Sequence, residues 1–309
     1  MRRHFITACE DNMFHGSIVA LVTPMREDGS IDWHALENLV NWHVAAGTGA
    51  IVSVGTTGES ATLTYDEHKA VTRFTVEIAK KRIPVIAGAG ANSTAEAIEL
   101  TYSAYHSGCD ATLQVAPYYN KPPQRGLYEH FRKVAEAVPL PVILYNVPGR
   151  TSVDIAPETV FALAKTRGIV GIKEASTLER LAELAAHFGV GKKRDFALYC
   201  GNDDINARAF AAGYIDGVIS VTANVAPAEL AAICQAGRSG NGEETLALDA
   251  PLASLHEAMF VEANPIPVKW ALARMGKIQG GIRLPLVPLA QEHHARVENA
   301  LKAANLLSS

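Results

Sequence analysis

Lys173 occupies a position that invites chemistry. It closes an apolar run, Ile169-Val170-Gly171-Ile172, and Glu174-Ala175-Ser176 follow it. An amine carried into a protein interior loses solvation, which favours its neutral form. A neutral amine attacks a ketone to form an imine, and the imine is an electron sink for a proton lost from the adjacent carbon. The bland reading is a lysine whose stem lies along the strand while its ammonium stays in water. Tyr145 closes a second apolar run, beginning at Pro141. A phenol there can relay protons to and from an imine, or it can be a core residue with a satisfied hydroxyl.

Thr56 and Thr57 lie between Gly55 and Gly58. Such a turn lets backbone amides and hydroxyls approach a carboxylate, although by itself it can be no more than a tight turn. Arg150, in the loop Asn146 to Thr151, carries the planar fork that suits a carboxylate, or is a surface charge. Tyr118, Tyr119 and Gly201 each follow a further apolar run. Other constellations fail on spacing. Gly88-x-Gly90 lacks the third glycine of a dinucleotide loop, and Gly189 to Lys193 lacks the phosphate-loop pattern. His293 and His294 are adjacent, so on a helix they point about 100° apart and make a poor metal pair. No H-E-x-x-H or G-x-S-x-G occurs.

These residues need elements to hold them. From Ser17 onward, short β-branched runs alternate with turns and helical stretches. Expected strands cover 18–22, 50–54, 85–87, 111–115, 141–145, 169–172, 196–200 and 217–220. Leu36, Leu39, Val40 and Val44 mark a first helix by their spacing. Thr64-x-x-Glu67 and Ser93-x-x-Glu96 read as capping boxes that open later ones. Eight such units in about 220 residues predict an α/β fold of (β/α)₈ TIM-barrel type. A doubly wound open sheet is the rival, but its first strand is usually followed by a glycine fingerprint, and Thr23-Pro24-Met25 stands there instead. The strand rhythm stops near Ala236. The expected division is a tail over 1–13, a barrel over 14–236 and a C-terminal helical appendage over 237–309. In such a barrel the strands' carboxyl ends carry the chemistry, which is where Thr56, Thr57, Tyr118, Tyr119, Tyr145, Arg150, Lys173 and Gly201 fall.

Composition narrows the class. Apolar residues make up 48% and charged residues 19%, enough for a large core. The net charge of −4 gives no basic footprint for nucleic acid. Cys9, Cys109, Cys200 and Cys234 are scattered, which predicts reduced thiols and a cytoplasmic protein, with neither disulfide framework nor zinc site. No apolar stretch has the length of a membrane span, and no apolar region of signal type follows Met1 to Phe5.

Taken together the motifs are familiar. Gly49 to Ser60 (GAIVSVGTTGES) resembles the first signature of the dihydrodipicolinate synthase/N-acetylneuraminate lyase superfamily. Tyr145 to Thr151 (YNVPGRT), followed by Gly171 to Ala175 (GIKEA), resembles the second. The likeness runs from about Met13 to the C-terminus and includes Asn264 to Trp270 (NPIPVKW).

The resemblance implies roles. Lys173 forms the Schiff base with pyruvate, with no metal or organic cofactor. Tyr145, Thr56 and Tyr119 form the proton relay, Tyr119 reaching in from a neighbouring subunit. Thr57 holds the pyruvate carboxylate, Arg150 orients the carboxylate of L-aspartate 4-semialdehyde, and Gly201 and Ile219 line the pocket. The implied product is 4-hydroxy-tetrahydrodipicolinate, on the route to diaminopimelate and L-lysine, and the implied assembly is a homotetramer. Feedback by L-lysine is implied at Ser60, Ala61, Tyr65, His68, Asn92, Glu96 and Tyr118, although Tyr65 departs from the histidine common there. The form Asn146 to Thr151 favours the synthase over sister lyases that accept sugar aldehydes. A catalytically silent, metabolite-binding barrel is the reading from another class; it would be marked by loss of Lys173 or the tyrosines, and all are present.

Overall fold

The eight β-branched runs form the strands β1 (Gly16–Ala20), β2 (Ala50–Ser53), β3 (Val85–Gly88), β4 (Ala111–Val115), β5 (Val142–Asn146), β6 (Ile169–Glu174), β7 (Ala197–Cys200) and β8 (Gly217–Ser220). They pair in sequence order, all parallel, and β8 closes on β1. The computed structural model describes residues 14–191 and 193–307, so the expected tail over 1–13 and Cys9 lie outside the described residues.

Side chains alternate across the barrel wall. Ile18, Val52, Ile86, Ile143, Tyr199 and Ile219 fill the interior as one cluster. Their neighbours Val19, Ile51 and Val85 face the surrounding helices on one side, and Leu144, Ile172 and Val218 on the other. The buried hydroxyl of Tyr199 donates to the Phe14 carbonyl at 2.9 Å.

The helices follow from their caps. Asp32 opens Trp33–Ala45 by accepting from the Ala35 amide, and Leu36, Leu39 and Val40 form its buried stripe. Thr64 and Glu67 close a reciprocal capping box at Tyr65–Ala79. The second expected box is corrected to a simple cap. Ser93 accepts from the Glu96 amide at Thr94–Ser107, and among the described residues the Glu96 carboxylate does not return the bond.

The C-terminal part is helical, as expected, and it packs on the barrel. The expected division after 236 falls inside the helix Pro227–Arg238. Leu255, Val268, Leu272 and Leu301 share a cluster with Val19, Leu21 and Ile51 of the barrel. Polar ties add to this packing. Lys269, on Ile266–Arg274, pairs with Glu59 in the loop after β2, and both are buried. Arg283 clasps both carboxylate oxygens of Glu67 at 2.6 Å.

Candidate active site

β6 runs on to Glu174, so Lys173 lies inside the ladder rather than beyond its end. Its register partners are Tyr145 on β5 and Tyr199 on β7. Registered residues of neighbouring parallel strands share a face of the sheet, and Tyr145 and Tyr199 belong to the interior cluster. Lys173 is 5% exposed, and its Nζ lies 4.4 Å from the centroid of the Tyr145 ring. Gly201 leaves the room for this amine. A Cβ there would stand 2.8 Å from Cε of Lys173 and 2.7 Å from Cβ of Ala175.

The turn after β2 is held in a conformation that few sequences tolerate. Val54 and Glu59 both have positive φ, 54° and 59°. Gly88 on β3 lets this turn approach, since a Cβ there would fall 2.3 Å from the Val54 carbonyl oxygen. The Gly58 carbonyl accepts from the Thr23 hydroxyl at 2.7 Å. Thr57 is buried, and Thr56 beside it is half-buried. Glu59 ends the turn in its buried pair with Lys269, whose amine is held below the usual lysine range chiefly by burial.

Arg150 lies on the single helical turn Pro148–Thr151, exposed at the mouth, and its Nη2 donates to the Asn264 carbonyl at 3.5 Å. Ile219 is fully buried in β8. The loop after β8 is fixed by Asp203, whose carboxylate accepts from the Val221 and Thr222 amides, each at 2.9 Å. Tyr119 stands apart from the other candidates. It is 89% exposed with a φ of 73°, so within one chain it projects into solvent.

Sequence reasoning missed a polar layer directly behind Lys173 and Tyr145. Asn146 and Glu174, the next residues on each strand, are also register partners. The Asn146 amide donates to both Glu174 carboxylate oxygens, at 3.1 and 3.0 Å, and to Asp154 at 2.7 Å. Arg180 closes the chain on Asp154 at 2.9 Å. Burial pushes the Glu174 carboxyl above the usual range, against these donors. The signal for this layer was a polar residue directly after each candidate.

Of the residues expected at a regulatory site, Ser60, Ala61, Tyr65 and His68 follow the turn after β2 in sequence. His68 bonds through Nε2 to the Gly88 carbonyl at 2.7 Å, and burial lowers its pKa. Tyr65 is pushed up to about 12 by burial, then by Glu99 and Glu96. Tyr118 is raised by burial and by the same Glu96. The Glu96 carboxylate thus lies near both tyrosines. The Asn92 carbonyl accepts from the Asn120 amide at 2.9 Å. Ser60 is half-buried and Ala61 exposed in the turn that precedes Tyr65.

Among the described residues no group of three or more His, Cys, Asp or Glu is placed to hold a metal ion. His294 bonds instead to the Leu289 carbonyl at 3.0 Å. Cys109, Cys200 and Cys234 are free and buried, and burial raises all three thiols.

A closed parallel barrel with a buried lysine beside a strand-borne tyrosine, at the carboxyl ends of its strands, defines an aldolase-type lyase of the lysine–imine class. The sequence model described as "Dihydrodipicolinate synthetase family" matches residues 13–304, and the chain belongs to that family. It is 60% identical over 294 residues to the 4-hydroxy-tetrahydrodipicolinate synthase of Dichelobacter nodosus, covering 95% of this chain and 98% of that one. The crystal structure of the chloride-inhibited dihydrodipicolinate synthase of Acinetobacter baumannii, complexed with pyruvate, is 49% identical with a TM-score of 0.93, covering 96% and 100% of the two chains. The enzyme of Cyanidioschyzon merolae with lysine bound is 40% identical with a TM-score of 0.90, covering 99% and 100%.

Proposed function

We propose that this chain is a 4-hydroxy-tetrahydrodipicolinate synthase, condensing pyruvate with L-aspartate 4-semialdehyde. The observation that carries the reading is the amine of Lys173, buried and 4.4 Å from the Tyr145 ring inside a closed barrel. Lys173 attacks the keto carbon of pyruvate and water leaves, giving the imine. The methyl group then loses a proton to the relay of Tyr145, Thr56 and a neighbouring subunit's Tyr119, and the electron pair moves to the imine nitrogen. The enamine carbon attacks the semialdehyde's carbonyl carbon, whose oxygen takes up a proton to become the 4-hydroxyl. The semialdehyde's amino group next attacks the imine carbon, closes a six-membered ring and displaces Lys173. The lysine supplies the electron sink, so this sequence calls on no metal or organic cofactor.

Thr57 is assigned to the pyruvate carboxylate and Arg150 to that of the semialdehyde, with Gly201 and Ile219 lining the pocket. The exposure of Tyr119 supports a subunit that gives this residue away, and a homotetramer is the proposed assembly. Among the described residues no helix is long and apolar enough to cross a membrane. The substrates are soluble metabolites, and we place the protein in the cytoplasm. L-Lysine is the proposed feedback inhibitor, at the cluster of Glu96, Tyr65, Tyr118 and His68. The lysine-bound relative supports this, and Glu96 would receive the ligand's ammonium.

The test is turnover of pyruvate and L-aspartate 4-semialdehyde, coupled to the next reductase and followed by NADPH loss, with Lys173→Ala as control. Turnover abolished in the control is the expected result. A pyruvate adduct trapped by borohydride without turnover would move the assignment to a sister aldolase. No adduct at all would favour a silent barrel. L-Lysine at millimolar levels should lower the rate; an unchanged rate removes the regulatory assignment.

A further inference from the structure

We infer that Asn264 is a positioning residue for both substrate-carboxylate subsites, so that the C-terminal segment completes the active site. The inference rests on the roles proposed above for Thr57 and Arg150. Asn264 is 6% exposed and lies just before the helix Ile266–Arg274. Its side-chain amide donates to Thr57 Oγ1 at 3.0 Å, across 207 positions of sequence. Its backbone carbonyl accepts from Arg150 Nη2 at 3.5 Å. One residue of the C-terminal part therefore touches both groups assigned to substrate carboxylates.

The direction of the Thr57 bond gives it chemical content. A threonine hydroxyl has one proton to give and two lone pairs to receive with. Asn264 fills a lone pair. Among the described residues no hydrogen bond takes the Thr57 proton, so it is left for an anion. An acceptor in place of the Asn264 amide would draw that proton away from the substrate. The arrangement is braced from behind, because Lys269 on the following helix holds Glu59 at the end of the Thr57 turn. The contact to Arg150 is at the long limit of a hydrogen bond, so the effect on pyruvate should exceed that on the semialdehyde.

The experiment uses the full-length protein and the variants Asn264→Ala, Thr57→Val and their combination. Pyruvate half-saturation is read by borohydride trapping on Lys173 and intact mass, and the KM for each substrate by turnover. Asn264→Ala should raise the pyruvate half-saturation about tenfold and the semialdehyde KM by no more than about threefold. In the Thr57→Val background the same change should alter pyruvate half-saturation less than about twofold, because its partner is already gone. Asn264→Asp keeps the size and should weaken pyruvate at least as much as alanine does; it also carries the measurement if the alanine variant does not fold.

Multiplicative effects in the double variant would overturn the inference. So would near-normal pyruvate binding by Asn264→Asp, or a variant that changes only the unfolding midpoint. Trapping needs pyruvate alone. Wild-type protein that traps pyruvate but does not turn over the semialdehyde therefore defeats the functional reading while leaving the Thr57 coupling measurable. Wild-type protein that traps nothing defeats both.

Discussion

Tyr145 faces Lys173 across β5 and β6 only because the register between the two strands slips after Val142. Val142 pairs with Ile169, but Ile143 pairs with Gly171 rather than Val170. Without the slip, Tyr145 would stand opposite Ile172, and Lys173 would face the outer helices as Ile172 now does. One extra residue on β6 thus swings Lys173 to the interior. Bulges re-aim side chains in this way next to active sites. Gly171 lies within the slip, and a Cβ there would come 2.6 Å from the Ala197 carbonyl oxygen, so the close approach of β6 and β7 also depends on that glycine.

Gly201→Ala tests how finely the amine is placed. The new methyl group would press on Cε of Lys173, the flexible part of the side chain, and on Cβ of Ala175. The lysine can move aside, but the Ala175 Cβ, 2.7 Å away, can move only with its backbone, so the amine is displaced and the strand ends are pushed apart locally. Misplacing a reacting group by about 1 Å can cost on the order of 100-fold in rate. The expected result is a kcat/KM lower by about 10- to 100-fold, with a lowered melting temperature from the contact with Ala175. An unchanged kcat/KM would show that Gly201 has no part in placing the lysine.

Much of this was legible in the sequence because it is local. Strand runs, the Thr64–Glu67 box and the position of each polar candidate at a strand's end all follow from short-range pattern. The slip in β6 was not legible, since a bulge is a relation between two strands and Val170 looks like any strand valine. Nor was the placement of the C-terminal part. Its ties to the barrel, Asn264 to Thr57 and Lys269 to Glu59, span 207 and 210 positions, and no periodicity encodes such pairs. Glu174 read as the residue after the lysine, and only the structure brings Asn146 to it.

The Glu59–Lys269 pair should behave as a buried ion pair whose loss leaves a charge stranded. Removing the lysine alone, as Lys269→Met, is expected to cost about 3–5 kcal/mol. Adding Glu59→Gln should recover much of that loss, because no charge then remains. Urea unfolding of the two variants checks this. Equal losses for single and double variants would mean that packing, rather than charge, dominates the site.

Asn146→Leu strands the Glu174 carboxylate in the same manner. The leucine fills similar volume but donates nothing, so Glu174 would lose a donor to both of its oxygens. The cost should be on the order of 3 kcal/mol, and Glu174→Gln in the leucine background should relieve part of it. Turnover should also fall, since the two strands carry Tyr145 and Lys173 as their preceding residues. Full stability in the single variant would contradict this account of the polar layer.

Two of the buried histidines set an expectation for acid. His43 bonds through Nδ1 to Thr48 at 2.9 Å, and burial pushes its pKa down to about 3. His130 bonds to Thr94 at 2.9 Å, and burial pushes it down to about 4. Both stay neutral in the folded protein at a pH where an unfolded imidazole, near 6.5, already takes up a proton. The unfolded chain therefore binds more protons within that interval, and their contribution to stability declines as pH falls from about 6.5 toward 4, by up to roughly 1.4 kcal/mol per unit for each group. His256 acts in the opposite sense: burial, the largest single effect, lowers its pKa, but the hydrogen bond to Asp249 together with the charges of Asp203, Asp249 and Asp204 outweighs it and raises the pKa. The clean measurement is a difference: the urea midpoint of His130→Gln against wild type, from pH 7 to pH 4. The variant should lose less stability on acidification. Parallel curves, or a His130 imidazole that titrates near 6.5 by NMR, would show that this residue is not held neutral by burial.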